Sequence, residues 1–395
     1  MRMKVRALLS SVIVLATMSL VGCGHYTCGA TFGNSSCTAT GGGLGTGGNG
    51  TAVAFDFFLD TGSIDGAMLD TSGNFTLINN FVSQGVPLSG AFGGMIVVQK
   101  QWLYVTNSTQ IGAYSINGTT GALTAIAGSP FLYAGTEAYS TTTDPAGKFL
   151  FLTGANNAQV WVFAINQTSG ALTTVGAFST GTNFAAYPTT DGKGNFLYVT
   201  EGNLGSEVAA FTINSTTGSL TPVAGSPFSI SIATLQGEPT GQFLLGVTGN
   251  GANNGFTPDD HVYVYSINQS TGALTQVGSP FATTFTPATL AVHPSGKFVY
   301  TFNQTVIGTS PMEGFQFNSS TGQVTPLAGS ISPFNALTAP AGTFDQSGAY
   351  LFMHPGTSLS VASVDTTTGA LTGIGAPITG AGNPVAQSWA ATDPH

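Results

Sequence analysis

The chain has 395 residues, 55 of them glycine, and carries 7 basic and 16 acidic side chains for a formal net charge of −9. Glycine at twice its usual share of about 7%, with so few charges, argues against a helix-rich soluble enzyme and against a nucleic-acid binder. Hydrophobic residues at 42% and aromatics at 10% exclude general disorder and point to a β-rich, turn-dense globular chain.

Arg2, Lys4 and Arg6 precede an apolar run from Ala7 to Leu20. As a helix, about 14 residues rise only ~21 Å, short of the ~30 Å of a bilayer core, so the run reads as a signal peptide rather than a span. Its ending, Leu20, Val21, Gly22, Cys23, resembles a bacterial lipobox. That resemblance implies that residues 1–22 are a lipoprotein signal peptide and that Cys23 becomes the acylated first residue. Gly24 follows where, in the same pattern, an aspartate would signal inner-membrane retention. The implied location is the outer membrane or cell surface of a bacterial envelope.

Cleavage would leave 4 Lys and no Arg against 16 acids, a formal charge of 4 − 16 = −12. Such a surface repels phosphate backbones and anionic headgroups, so nucleic acid is excluded as a partner and membrane contact is left to the lipid anchor. With Cys23 acylated, Cys28 and Cys37 remain as a possible disulfide in an oxidising compartment, two free thiols being the alternative. Gly41 to Gly50 is nearly all Gly, Thr and Asn. Residues 23–50 therefore read as a lipidated Gly-rich tether, with a root-mean-square reach of roughly 30 Å.

From residue 51 to 395 one pattern recurs seven times: an aromatic-aliphatic strand, a loop, a strand ending in Ile-Asn, a Thr-Thr-Gly turn, and a strand beginning Ala-Leu-Thr. Clear copies run Ser115 to Thr124, Ala164 to Thr173, Thr212 to Thr221 and Ser266 to Thr275, and a degenerate one begins at Leu69. The turn glycines Gly73, Gly121, Gly170, Gly218, Gly272, Gly322 and Gly369 are spaced 48, 49, 48, 54, 50 and 47 residues apart. A period near 49 fits a four-stranded propeller blade. With strands lettered a to d from the centre outward, strand b is expected at Ala52 to Phe58, Trp102 to Thr106, Phe149 to Thr153, Phe196 to Thr200, Phe243 to Val247, Phe298 to Phe302 and Tyr350 to His354. Strand c, as in Val160 to Ile165 and Val262 to Ile267, is apolar at nearly every position, as a sheet packed on both faces requires.

The first repeat has no strand a before it, and Gln387 to Pro394 supplies one with no strand b after it. The expected fold is therefore all-β: a seven-bladed propeller of four-stranded antiparallel blades, closed by pairing of the N- and C-terminal strands, which removes two open edges.

Leu103 to Asn107 spells Leu-Tyr-Val-Thr-Asn, and Gly147 to Leu152 and Gly296 to Tyr300 share a Gly-Lys-Phe-aliphatic-aromatic strand. These residues resemble the YVTN and lactonase-type seven-bladed propellers, which include 6-phosphogluconolactonase-like enzymes, and the likeness runs over about 51–395. It implies a site on the face of the b–c and d–a loops, built in the enzymes from His, Arg and Glu. None of those positions carries over: the strand-a slot for a Pro-His pair holds Tyr139, Ala186, Ala233 and Ala288, and the mature chain has no Arg.

Assigned to faces in this frame, Lys100, Lys148, Lys193 and Lys297 fall at a–b turns, opposite the site face, which receives Glu137, Glu201, Glu207, Asp259, Asp260 and Glu313. An acidic face without cations suits a non-catalytic module for a neutral or cationic glycan, peptide or envelope protein. The alternative is a lactonase-like hydrolase of a non-phosphorylated lactone, with Glu201, Glu207 and His354 as candidate catalytic residues. No cofactor is expected beyond a divalent cation, for which Asp259, Asp260 and His261 are the candidate ligands. His354 would serve as a base only if it faces the central channel, a buried structural role being the other reading. His293 is expected as a turn residue.

Overall fold

A computed structural model describes residues 50–60, 63–78, 92–107, 109–135, 138–154, 158–181, 184–201, 207–249, 258–303, 312–327, 342–354, 358–379 and 389–392. Cys23, Cys28, Cys37 and the whole expected tether up to residue 49 lie outside the described residues, as does Glu137. The described residues form seven antiparallel sheets, each a path of four strands, and none of them is helical.

Blade 3 shows the common plan. Strand a (Ala138–Thr143) pairs with b (Phe149–Gly154), b with c (Gln159–Ile165), and c with d (Leu172–Ser179). Every residue of its strand b is buried. Alternate side chains of that strand serve different neighbours: Leu150 and Leu152 join the core shared with blade 2, while Phe149 and Phe151 join the core shared with blade 4. Two-sided burial explains why these strands are apolar throughout instead of alternating.

The recurring turn has a local cause. In blade 2 the Oδ1 of Asn117 accepts the amides of Thr119 and Thr120, each at 3.0 Å, and Gly121 then closes the turn at φ 69°. Asn166, Asn214, Asn268, Asn318 and Asp365 repeat the arrangement, and all seven turn glycines have positive φ. The glycine is needed for space as well as for φ. A Cβ on Gly170 would stand 2.6 Å from Cδ1 of Trp102 on the preceding blade. On the same turn, the Tyr104 hydroxyl donates to the Gly170 carbonyl at 2.7 Å. In blades 2 to 7 the glycine of the c–d turn thus packs on the strand b of the blade before it, whereas Gly73 of blade 1 faces Ile374 on the outer strand of blade 7.

The ring closes as the two chain ends imply. Trp389–Thr392 is the strand a of blade 1, pairing with Ala52–Asp60 from Phe58 opposite Trp389 to Phe55 opposite Thr392. It also touches the inner strands of blades 7 and 2, Gly342–Phe344 and Phe92–Val98, so the inner strands follow one another around the centre. Several expected boundaries shift: strand b ends one or two residues later in blades 1 to 4, at Asp60, Asn107, Gly154 and Glu201, and that of blade 7 is Tyr350–Met353, with His354 after its end.

Candidate functional site

The inner strands surround a central cavity of about 700 Å³. Small residues create it. Opposite the ends of their strands b, Gly94, Ser140, Thr234 and Thr289 occupy corresponding places on blades 2, 3, 5 and 6, and all four line the cavity. The rest of the wall mixes the hydroxyls of Thr141, Thr142, Thr189 and Thr190 and the amide of Gln236 with apolar side chains, among them Met95, Leu235, Leu290 and four prolines. Asp191 is the only charged residue among the described ones lining it, at the a–b end. Its Oδ1 accepts the amides of Asn195 and Phe196 at 2.7 and 2.8 Å, and burial holds the carboxyl above its ordinary range despite those bonds.

The lysines are elsewhere. Lys100, Lys148, Lys193 and Lys297 all sit between strands a and b of their blades, at the hairpins expected for them. Lys193 donates to Oε1 of Gln269 on a c–d turn at 3.1 Å, which confirms that the a–b and c–d turns share a face.

At the d–a end of the cavity stand three aromatics. Tyr139 on blade 3 and Tyr187 on strand a of blade 4 (Ala185–Thr190) have ring centroids 5.2 Å apart and hydroxyls at 3.1 Å, and Phe184 meets Tyr139 edge-on at 5.3 Å. All three are half-buried, and Tyr187 lines the cavity. Burial, and then its neighbour Tyr139, push the Tyr187 phenol well above its usual range, so it stays neutral. Sequence reasoning named Tyr139 only as an occupant of the slot that lacks a Pro-His pair and missed Tyr187; the signal was a tyrosine where neighbouring blades carry Ser140, Thr234 and Thr289.

The residues expected to form a metal site do meet, but as a hydrogen-bonded elbow. The Thr248 hydroxyl donates to Asp259 Oδ1 at 3.0 Å and the Tyr263 phenol to Oδ2 at 2.6 Å, so both oxygens are used inside the fold. Burial and this bond push Tyr263 up to about 12. His261 Nδ1 lies 3.4 Å from Asp260 and 3.8 Å from Asp259. Among the described residues no three His, Cys, Asp or Glu side chains are placed to hold a metal ion. Glu313 is likewise structural: its carboxylate accepts the amide and the hydroxyl of Thr284, pinning the d–a connection between blades 5 and 6.

The three candidate catalytic residues are not brought together. Glu201 ends strand b of blade 4 (Phe196–Glu201), and Glu207, half-buried, precedes its strand c; His354 belongs to blade 7, three blades further round. The imidazole of His354 is enclosed, with its residue 1% exposed, and lies against Asp56 of blade 1 rather than on the cavity wall. The side chain points into the packing between blades, as the buried structural reading of His354 expects. His293 is the expected turn residue: its Nδ1 accepts the Ser295 amide at 3.0 Å and its Nε2 lies 2.8 Å from the Gly348 carbonyl.

The sequence profile of the family described as lactonase, 7-bladed beta-propeller, matches residues 95–231 and 228–337. Among solved structures, a candidate 6-phosphogluconolactonase from Bacteroides fragilis is 16% identical with a TM-score of 0.66, over 87% of this chain and 98% of that one. A periplasmic gluconolactonase of Pseudomonas aeruginosa is 13% identical with a TM-score of 0.63, over 84% of this chain and 97% of that one. At these identities the likeness is one of fold. No curated protein sequence matches the chain significantly.

Proposed function

The chain belongs to the lactonase family of seven-bladed β-propellers, and from that premise we propose that it is an exported, Cys23-anchored module whose central cavity binds an uncharged, hydroxyl-rich ligand of the neutral-glycan class. The observation that carries this is the wall itself: Ser and Thr hydroxyls, one glutamine amide and one tyrosine set among apolar side chains, with no lysine among the described residues and a single aspartate far from the d–a end. Neutral hydroxyl and amide groups are orienting partners for a polyol, which presents donors and acceptors without charge. A phosphorylated sugar asks instead for cationic donors, usually an arginine fork. Export is supported by the basic start and apolar run of residues 1–22 and by the likeness to a periplasmic protein. Cys28 and Cys37 are proposed to form a disulfide near the anchor.

Saturation-transfer NMR on the full-length protein with neutral pyranosides tests the ligand class. Transfer to ring protons is expected; its absence for every pyranoside would remove the proposal.

Family membership favours a second reading, hydrolysis of a non-phosphorylated sugar lactone. Water would add to the lactone carbonyl, the ring C–O bond would break, and the released alkoxide would take the proton that water gave up, leaving a hydroxy acid. Of the residues considered, Glu201 or Glu207 would be the carboxylate that accepts that proton. Acid release from glucono-1,5-lactone above the spontaneous rate, lost in Glu201→Gln or Glu207→Gln, would establish this reading.

A further inference from the structure

We infer that Tyr139 and Tyr187 form a subsite for one sugar ring at the d–a end of the cavity, an assignment that rests on the glycan-binding reading above and gives it residues. The first ground is broken symmetry. At the level of Tyr187 the described inner strands carry Gly94, Ser140, Thr234 and Thr289, and the blades adjoining Tyr139 on the way round carry Ala186, Ala233 and Ala288. Only two adjacent blades place a phenol there among the described residues. A ring that needed mere filling would not concentrate its bulk on one side.

The second ground is backbone geometry. Both tyrosines lie at register irregularities: the a–b pairing of blade 3 shifts between Thr153 and Gly154, next to Tyr139, and that of blade 4 shifts between Ala185 and Pro188, around Tyr187. Such bulges re-aim side chains and are common beside sites. The Tyr187 amide donates to the Thr200 hydroxyl at 3.3 Å, and that hydroxyl donates to the Ala233 carbonyl at 3.0 Å, which ties the bulge to blade 5.

The third ground is hydrogen-bond capacity. Two phenols 3.1 Å apart share one proton between them, so the other O–H points outward as a donor while lone pairs remain to accept. A ring of alternating hydroxyls and C–H groups meets such a pair on both counts, with its C–H face against an aromatic ring. The neutral state of Tyr187 suits an uncharged partner.

The test uses one variant that the protein's own repeats show to be compatible with the fold and one that keeps the aromatic ring. Tyr187→Thr installs the residue that blades 5 and 6 carry at that level, and Tyr139→Phe removes one hydroxyl while keeping the ring. Binding of methyl β-D-glucopyranoside to the full-length protein is followed by saturation-transfer titration, with melting temperature recorded for each variant. Tyr187→Thr is expected to weaken binding about tenfold or more and Tyr139→Phe by a few fold, on the scale of one lost contact and one lost hydrogen bond. Unchanged affinity in Tyr187→Thr would overturn the subsite and leave the glycan-binding reading standing, with the tyrosines as packing. No pyranoside binding by the unaltered protein would overturn both.

Discussion

The Nε2 of His354 lies 3.3 Å from Oδ2 of Asp56 across the seam where the last blade meets the first, and both side chains are buried. Asp56 follows the strand-b aromatic Phe55, and the residues in that place on the other six blades are Leu103, Leu150, Leu197, Leu244, Val299 and Leu351, all fully buried. His354 corresponds to Thr106, Thr153 and Thr200. An Asp–His pair has therefore replaced apolar and hydroxyl packing at the seam between the last blade and the first. Phe58, with its ring 6.0 Å from the imidazole, forms part of the enclosing wall.

Removing one partner of a buried pair strands the other, whereas replacing both by packed residues is often neutral or favourable. His354→Thr alone is expected to cost roughly 3–5 kcal/mol. The double variant Asp56→Leu with His354→Thr, which copies blades 2 to 4, is expected to unfold in denaturant at or above the wild-type midpoint. A double variant less stable than the single one would show that the pair is not the unit that matters.

Stability should depend on pH through Asp56. Burial raises its pKa above the ordinary 3.8, and the field of His354 offsets part of that rise. A carboxyl with a raised folded pKa binds its proton more readily in the native state. Its contribution is thus most favourable below 3.8 and declines as pH rises from there through the raised value. Asp56→Asn keeps the shape and loses the titration, so its stability profile should be flatter than that of the wild type across that window. Urea midpoints measured from acid to neutral pH would reveal the difference; parallel profiles would count against the assignment.

Ring closure by Trp389–Thr392 makes the C-terminus essential to blade 1. Deleting residues 385–395 removes its inner strand, exposes the edge of Ala52–Asp60 and uncovers buried neighbours. A loss of several kcal/mol is expected, on the scale of large core deletions. A truncated chain that melts with the intact protein would mean that the terminal strands do not close the ring.

The proposed lipidation of Cys23 rests on the Leu20 to Cys23 ending. Cys23→Ala should abolish incorporation of a fatty-acid analogue and release the protein from membranes, and label that persists would refute the anchor.

Much of this fold was legible because each blade repeats a turn with its own local chemistry. Asn117 with Gly121, or Asn214 with Gly218, is decided within five residues, so the period and the blade count follow from sequence. The pairing of chain ends was legible for the same reason, as a strand missing from one repeat and spare in the other. The sites were not. Asp56 and His354 meet only because the ring closes, and a local pattern does not encode a contact between chain ends. Tyr139 and Tyr187 are 48 residues apart, one full blade, and the bulges that aim them depend on pairing rather than on composition. For Asp259 and His261 the sequence did place the groups together, but the Tyr263 hydroxyl next to them and the Thr248 hydroxyl from the end of the neighbouring strand occupy the carboxylate.

Titrating the full-length protein by calorimetry with D-glucose and D-glucose 6-phosphate, side by side at low ionic strength, bears most directly on the uncharged cavity. The phosphate brings roughly two negative charges to a chain of formal charge −9 whose lysines, among the described residues, all lie at the a–b hairpins. The neutral sugar is expected to bind and its phosphate to bind at least about tenfold more weakly, with the gap narrowing as salt is added. Tighter binding of glucose 6-phosphate would contradict the neutral-ligand assignment.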